Sequence, residues 1–324
     1  STITEGTETY THSSLTNGTT YYYRISAVDN VSNESSKTSD VTSLPHNTSG
    51  TYSLSFDGND DYVTIPASAL NGFSAFSFSA WFYPNGDQSG YSHIIIQDDA
   101  GAGNDLFYIR YKNGMSTFQV QLDASRGGNG SGTSIDLTPS VPSKNTWHHI
   151  VFTYDGTTST VYIDGSSGGS STSTSGNYNA TSAITIGNEG TDKGFKGYLE
   201  DIAIWNEAIT SSEITALYNS GGPLDASSNS GNYTSSSNLK GYWRFNENSG
   251  TTAYDISGNG NHGTIANGPT YSSSVPAADN TAPSTPTGLV ATPGNAQVVL
   301  TWTANSESDL ASYKIYRGTS ANPT

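Results

Sequence analysis

TWHHIVFTYDGTTSTVYIDG, residues 146–165, holds two strand-like runs, HHIVFTYD and TVYIDG, on either side of a turn made of Asp, Gly and Thr. Runs rich in β-branched and aromatic residues and bounded by turn formers read as strands. The same pattern recurs between about residues 50 and 275: YSLSFDG, DYVTI, FSFSAWFYP, HIIIQD, LFYIRY, TFQVQLD, AITIGN, YLEDIAIWN, GYWRFNE and HGTIA. So many short strands between turns predict a two-sheet antiparallel sandwich or jelly roll. One helix is expected. Thr210-Ser-Ser-Glu213 reads as a capping box before Ile214, Leu217 and Tyr218, with Gly221 closing it. The polar low-complexity stretch DGSSGGSSTSTSGNYNATS, from Asp164 onward, is expected to be a loop.

Composition agrees with an all-β chain. Its 324 residues include 35 Gly and 21 Tyr but one Met. No Cys is present, which removes disulfides, thiolate metal sites and thiol nucleophiles. For a secreted protein this points to a prokaryotic source. Lys and Arg number 12 against 28 Asp and Glu, a net charge of −16. Nucleic acid and anionic membrane surfaces both demand clustered basic residues, so neither is an expected partner. No apolar run is long enough to span a bilayer, and an acidic, hydroxyl-rich surface suits an extracellular or cell-surface location.

The two ends share a second pattern. In YYYRISAVD, Tyr21, Tyr23, Ile25 and Ala27 alternate with Tyr22, Arg24 and Ser26. At the other end Val298, Leu300 and Trp302 alternate, followed by Tyr313, Ile315 and Arg317 on one face of a third strand. Leu15-Thr-Asn-Gly-Thr-Thr-Tyr21 resembles the L-x-x-G-T-x-Y signature of fibronectin type III domains. The Pro283, Pro286, Leu289, Ala291 entry and the core Trp302 resemble the first half of the same domain. The resemblance implies that Tyr21 packs on Leu15 and returns its hydroxyl to nearby backbone. It also implies a fibronectin type III sandwich split between the termini. Residues 1–45 would be its C-terminal half and 278–324 its N-terminal half, on either side of a central domain over 46–277. Read tail to head,...RGTSANPT-STITEG..., the halves are continuous, as in one period of a head-to-tail array.

The centre resembles concanavalin A-like, laminin-G-like jelly rolls. LSFDGNDDYVTI, FSFSAWFYP, TWHHIVFTYDGTTSTVYIDG, ITIGN, FKGYLEDIAIWNEAITSSEI and GYWRFNENSGTTAYDISGNGNHGTI occur in the family's order. The resemblance implies two curved sheets, roles in carbohydrate binding, adhesion or structural spacing, and often a calcium ion. The candidate calcium ligands are Asp57, Asp60 and Asp61 in one turn, Asp255, Asn259 and Asn261 in a Gly-rich loop, and Asp201 beside Glu200. Calcium takes six to eight oxygens, and flexible oxygen-rich loops present them. Asp and Asn also make turns without any metal.

Catalysis is not expected. Glycanases of this fold place acids at alternating strand positions, yet two residues on from Glu200 is Ile202, and two on from Asp201 is Ala203. No G-x-S-x-G elbow occurs. Adjacent His148 and His149 point to opposite faces of a strand and cannot easily share an ion. Tyr91, Tyr108, Tyr111, Tyr178 and Trp243 are candidates for sugar stacking. Tyr91 and Tyr178, in polar loops, are the better placed, whereas Trp81, Trp147, Trp205 and Trp243 lie in alternating strands and read as core. Two functions remain. One is a repeat unit of an extracellular structural or adhesive filament whose partners are further copies. The other is a carbohydrate-binding or adhesive module of a secreted polysaccharide-processing protein.

Overall fold

Alternation along FSFSAWFYP decides which side is core. Phe76, Phe78, Ala80 and Phe82 point into the main apolar cluster, and Ser77, Ser79, Trp81 and Tyr83 point the other way. The computed structural model describes residues 10–16, 19, 21–43, 45, 52–88, 90–98, 105–123, 135–172, 175–188, 193–277, 284–305 and 313–318. In chain order the strands are β1 (Tyr21–Tyr23), β2 (Val41–Ser43), β3 (Ser53–Asp57), β4 (Tyr62–Ile65), β5 (Phe76–Pro84), β6 (Tyr91–Asp98), β7 (Asp105–Lys112), β8 (Thr117–Leu122), β9 (Ile135–Leu137) and β10 (His148–Tyr154). They continue as β11 (Ser159–Ile163), β12 (Ser166–Ser171), β13 (Ile184–Ile186), β14 (Lys196–Trp205), β15 (Leu239–Trp243), β16 (Thr252–Ala253), β17 (Gly263–Ala266), β18 (Thr270–Ser272), β19 (Thr287–Gly294) and β20 (Gln297–Thr303). One α-helix, α1 (Ser211–Tyr218), lies among the described residues.

The central strands form two eight-stranded antiparallel sheets. The first runs β12-β11-β10-β5-β14-β3-β18, with β15 also pairing with β14. The second runs β16-β17-β4-β13-β6-β7-β8-β9. Their facing sides make the core, where Phe82 stacks on Phe118 at 5.8 Å and Phe76 meets Phe107 edge-on at 5.6 Å. Each fully buried aromatic of this kind contributes about 2–3 kcal/mol. A second apolar cluster lies on the outer side of the first sheet. There Ile214 and Leu217 of α1, with Tyr233, pack on Val151, Ala203, Trp205 and Tyr242.

Several expectations are corrected. The low-complexity stretch is partly a strand: Asp164 (φ 50°) and Gly165 (φ 75°) make the turn, and Ser166–Ser171 pairs back on β11. A D-G turn with both residues at positive φ matches the twist of a two-residue hairpin, and that outweighs the polar composition. The helix closes on Asn219, at φ 45°, ahead of Gly221. Asn tolerates this left-handed conformation better than most residues. The capping box is present as read, with Thr210 and Glu213 bonding reciprocally. Tyr313–Arg317, expected as a strand, joins no ladder among the described residues. An extended segment becomes a strand only when a neighbour takes its backbone groups.

The chain divides into two compact units, Ser1–Ala277 and Ala278–Thr324. In the first, β1 pairs with β2, and an isolated bridge joins Val28 and Glu34 further along the same hairpin. Thr16 N–H donates to Tyr21 Oη at 3.0 Å, and Leu15 is half-buried. In the second unit, β19 pairs with β20. Trp302 packs edge-on against Tyr313 at 5.1 Å, and Asn305 N–H donates to Tyr313 Oη at 2.8 Å.

Candidate functional site

Strands β10, β5 and β14 are neighbours, and their register stacks outward-facing residues in rows. Ser77 lies opposite Thr153 and Trp205, Ser79 opposite Val151 and Ala203, and Trp81 opposite His149 and Glu200. Helix α1 and the segment after it cover these rows, and Tyr218 stacks on Trp81 at 5.8 Å. The next row is not covered in this way. It consists of Tyr83 of β5, Tyr198 paired with it on β14, and Trp147, the residue before β10. All three are half-buried. Ring centroids are 5.7 Å apart for Tyr83 and Trp147, 5.4 Å for Tyr83 and Tyr198, and 6.3 Å for Trp147 and Tyr198. Neither tyrosine hydroxyl nor the indole Nε1 bonds to a described residue, whereas Tyr and Trp polar tips are normally paired when buried.

The surrounding backbone holds these rings in place. Gly197 (φ 152°) lets β14 approach β5, because a Cβ there would sit 1.9 Å from the Tyr83 carbonyl. Asn145, at φ 60°, donates its N–H to the Pro84 carbonyl at 2.8 Å and accepts from Gly86 N–H at 2.9 Å. Lys144 reaches Asp87 at 2.6 Å. Gln88 exchanges hydrogen bonds with the Lys196 backbone at 2.8 and 2.9 Å. His148 turns inward against Phe82, while His149 stacks on Trp81, so the pair does point to opposite faces.

His148 Nδ1 lies 2.8 Å from Asp164 Oδ2, and its Nε2 lies 3.1 Å from Ser143 Oγ. This has the outline of a serine–histidine–aspartate triad, but Nε2 is also 3.1 Å from the Ser143 carbonyl. A ring nitrogen facing a carbonyl is not a lone pair reserved for a nucleophile. The contact clamps the loop that carries Trp147.

The acids expected as ligands are dispersed. Asp57, Asp60 and Asp61 come together, with one carboxylate oxygen from each within 4.8 Å of the others. Asp57 already accepts from the backbone and side chain of Asn59, and Asp61 accepts from Asp57 N–H. Calcium would have to draw on Asp60 and on second lone pairs, a thin set for an ion that takes six to eight oxygens. Asp255 organises its own loop, accepting from the backbone N–H groups of Tyr242, Ser257 and Asn261. The side chains of Asn259 and Asn261 donate to the carbonyls of Leu239 and Lys240.

Asp201 is buried elsewhere, accepting from Tyr242 Oη, with Arg244 Nε 3.0 Å away. A bulge, with Asp201 at φ 47°, brings it to the same outer face as Glu200, which simple alternation excludes. Both Glu200 oxygens and Asp201 Oδ2 lack partners. Burial first, then the neighbouring Asp201, pushes the Glu200 carboxyl up to about 10. Burial also raises Asp201 to about 6, although Arg244 and Tyr242 oppose the rise. Asp201 and His149 line a cavity of about 10 Å³ with Ser79, Trp81 and Tyr242, room for one water and not for a sugar.

Of the aromatic candidates, Tyr178 is a correction. It is 1% exposed, packs on Phe76 at 5.2 Å and donates to Gln97 Oε1. Tyr108, Tyr111 and Trp243 are also buried. Tyr91, at 37% exposure, lies on the second sheet, where the Arg110 guanidinium covers its ring at 4.5 Å. Trp147, read as core, is the opposite correction. The outward alternation of Tyr83 and Tyr198 was visible in the sequence, but their meeting depends on pairings between distant strands.

Residues 57–215 match the family described as Concanavalin A-like lectin/glucanases superfamily. The central domain is a concanavalin A-like jelly roll. A Bacteroides ovatus structure, provisionally described as a carbohydrate-binding protein, shares the fold. It has 16% identity and a TM-score of 0.50, covering 82% of this chain and 72% of that chain. Other likenesses to the concanavalin A-like domain are more distant. A heptameric SAP-like pentraxin from Limulus polyphemus is 18% identical, covers 52% of this chain and 82% of its own, and has a TM-score of 0.42. Domain 4 of AbnA, a GH43 extracellular arabinanase from Geobacillus stearothermophilus in complex with arabinotriose, is 18% identical, covers 60% and 80%, and has a TM-score of 0.39. No curated protein sequence matches the chain.

Proposed function

We propose that the concanavalin A-like domain is the carbohydrate-binding module of a secreted protein, with Tyr83, Trp147 and Tyr198 as its sugar platform. The observation that carries this is three half-buried rings meeting on one sheet face, their polar tips bonded to no described residue. Rings offer an apolar surface to the C–H face of a pyranose, and their tips offer hydrogen bonds to its hydroxyls. The family's description and the provisional assignment of the Bacteroides ovatus protein support this reading. No helix among the described residues is long and apolar enough to cross a membrane. Glycan-array binding followed by calorimetry tests the proposal. Trp147→Ala is expected to weaken binding at least tenfold, about 1.4 kcal/mol. Clean failure across plant and algal glycans would overturn it. The three rings of the platform include no carboxylate, so EDTA is expected to leave sugar affinity unchanged.

A second reading, the repeat unit of a filament or adhesive array, is favoured by a separate observation. Apolar residues in the two segments that resemble halves of a fibronectin type III domain are exposed: Ile25 at 67%, Leu289 at 66%, Val298 at 60% and Ile315 at 58%. Exposed apolar strand residues of this kind are a surface that a further copy could cover. The two readings are compatible, because one concerns the central sandwich and the other the terminal segments.

A further inference from the structure

We infer that the platform takes a single pyranose ring, presented at a chain end or as a branch, and not an internal run of a polysaccharide. This rests on the carbohydrate reading above and adds the form of the ligand. The three ring centroids form a triangle with sides of 5.4, 5.7 and 6.3 Å. The rings are not coplanar: Tyr83 is inclined 62° to Trp147 and 54° to Tyr198, so they do not present one flat face along which successive sugars could stack. A run of sugars that stayed on the surface would draw on further stacking faces beside these three.

Among the described residues, the rows beside these rings offer none. Along the strands in one direction, the next row of Trp81, His149 and Glu200 is buried, with Tyr218 stacked over it. In the other direction the loops after β5 and before β10 are tied together by Asn145 and by the Lys144–Asp87 pair. Across the sheet, the residue of β3 opposite Tyr198 is Ser55, and opposite Ser55 on β18 is Thr270. Beyond the three rings the row therefore offers hydroxyls and no stacking surface. One sugar can stack, and the rest of its chain must leave the surface.

A length series on the unmodified chain tests this, so the result does not depend on a variant folding. The probes are methyl pyranosides of glucose, galactose, mannose, xylose and N-acetylglucosamine, each with its own homo-tetrasaccharide. Binding is read by tryptophan fluorescence and calorimetry. For every sugar that binds, the tetrasaccharide and the methyl glycoside are expected to agree within about threefold in Kd, at one sugar chain per protein. Trp147→Ala, with its fold checked by circular dichroism, is expected to abolish both signals. A gain of about tenfold or more from methyl glycoside to tetrasaccharide overturns the single-ring site and leaves the carbohydrate reading standing. Absence of binding by every probe, and on a glycan array, overturns both.

Discussion

Glu200 and Asp201 are neighbours that a regular strand would send to opposite faces, and a one-residue bulge puts both under the cover of α1 and the segment after it. Burial, then the neighbouring Asp201, holds the Glu200 carboxyl far above its solution value of 4.5, and neither oxygen has a described hydrogen-bond partner to offset this. A carboxyl whose folded pKa is raised binds its proton more tightly folded than unfolded. Stability therefore falls as pH rises from the ordinary carboxylate range toward about 10, by up to about 1.4 kcal/mol per pH unit. Glu200→Gln keeps the shape of the protonated acid and removes the titration. Thermal unfolding of the variant is expected to show a flatter pH profile and a Tm higher by at least ~2–4 °C at pH 9. A profile unchanged from the parent would sink this reading. Asp255 is the contrasting acid, because three backbone N–H groups depend on it. Asp255→Ala is expected to cost about 2–4 kcal/mol in urea unfolding, with or without calcium. Asp60→Ala, on an exposed turn, should change stability by less than about 0.5 kcal/mol.

Elements carry the next level of information, and those with local causes were legible. The capping box of α1 spans four residues, and Thr210 and Glu213 could be read directly. What the sequence concealed is that Glu213 also accepts from Thr234 and Ser235, tying the helix to the segment that follows. Burial pushes the Glu213 carboxyl up, but the donors of Ser235, Thr210 and Thr234 outweigh it and bring it down to about 2. With a depressed pKa, the stabilisation is complete above the ordinary Glu range and is lost as pH falls from about 4.5 toward 2. Glu213→Gln is expected to lose about 1–3 kcal/mol at pH 7 and to converge on the parent near pH 2 in a series of chemical melts. Tyr83, Trp147 and Tyr198 were harder to read because each sits in a run that looks like core. Their meeting depends on β5 pairing with strands that begin 72 and 120 residues later, taking the starts at Phe76, His148 and Lys196. Alternation assigns a face within one strand, and only the register between strands assigns neighbours.

At the scale of the whole chain, sequence pattern and structure meet in the terminal segments. Period-two alternation put Ile25, Val298 and Ile315 each on one face of a strand, Leu289 belonged to the entry that resembles a fibronectin type III half, and all four are more than half exposed. In the central sandwich the same pattern closes a core, since Phe76, Phe78 and Phe82 are fully buried. At roughly 25 cal/mol per Å², covering several such side chains contributes a few kcal/mol to association, enough to favour self-assembly at high concentration. Sedimentation velocity between about 1 and 100 µM, a range spanning about 2.7 kcal/mol of association free energy, is expected to show concentration-dependent association. The double variant Ile25→Asp, Val298→Asp is expected to stay monomeric, because a charge at a would-be core position cannot be buried without a partner. Both positions are exposed, so the main unfolding transition of the central domain should not move, which separates lost association from lost folding. A parent chain that sediments as a strict monomer throughout would remove the basis for the array while leaving the sugar platform untouched.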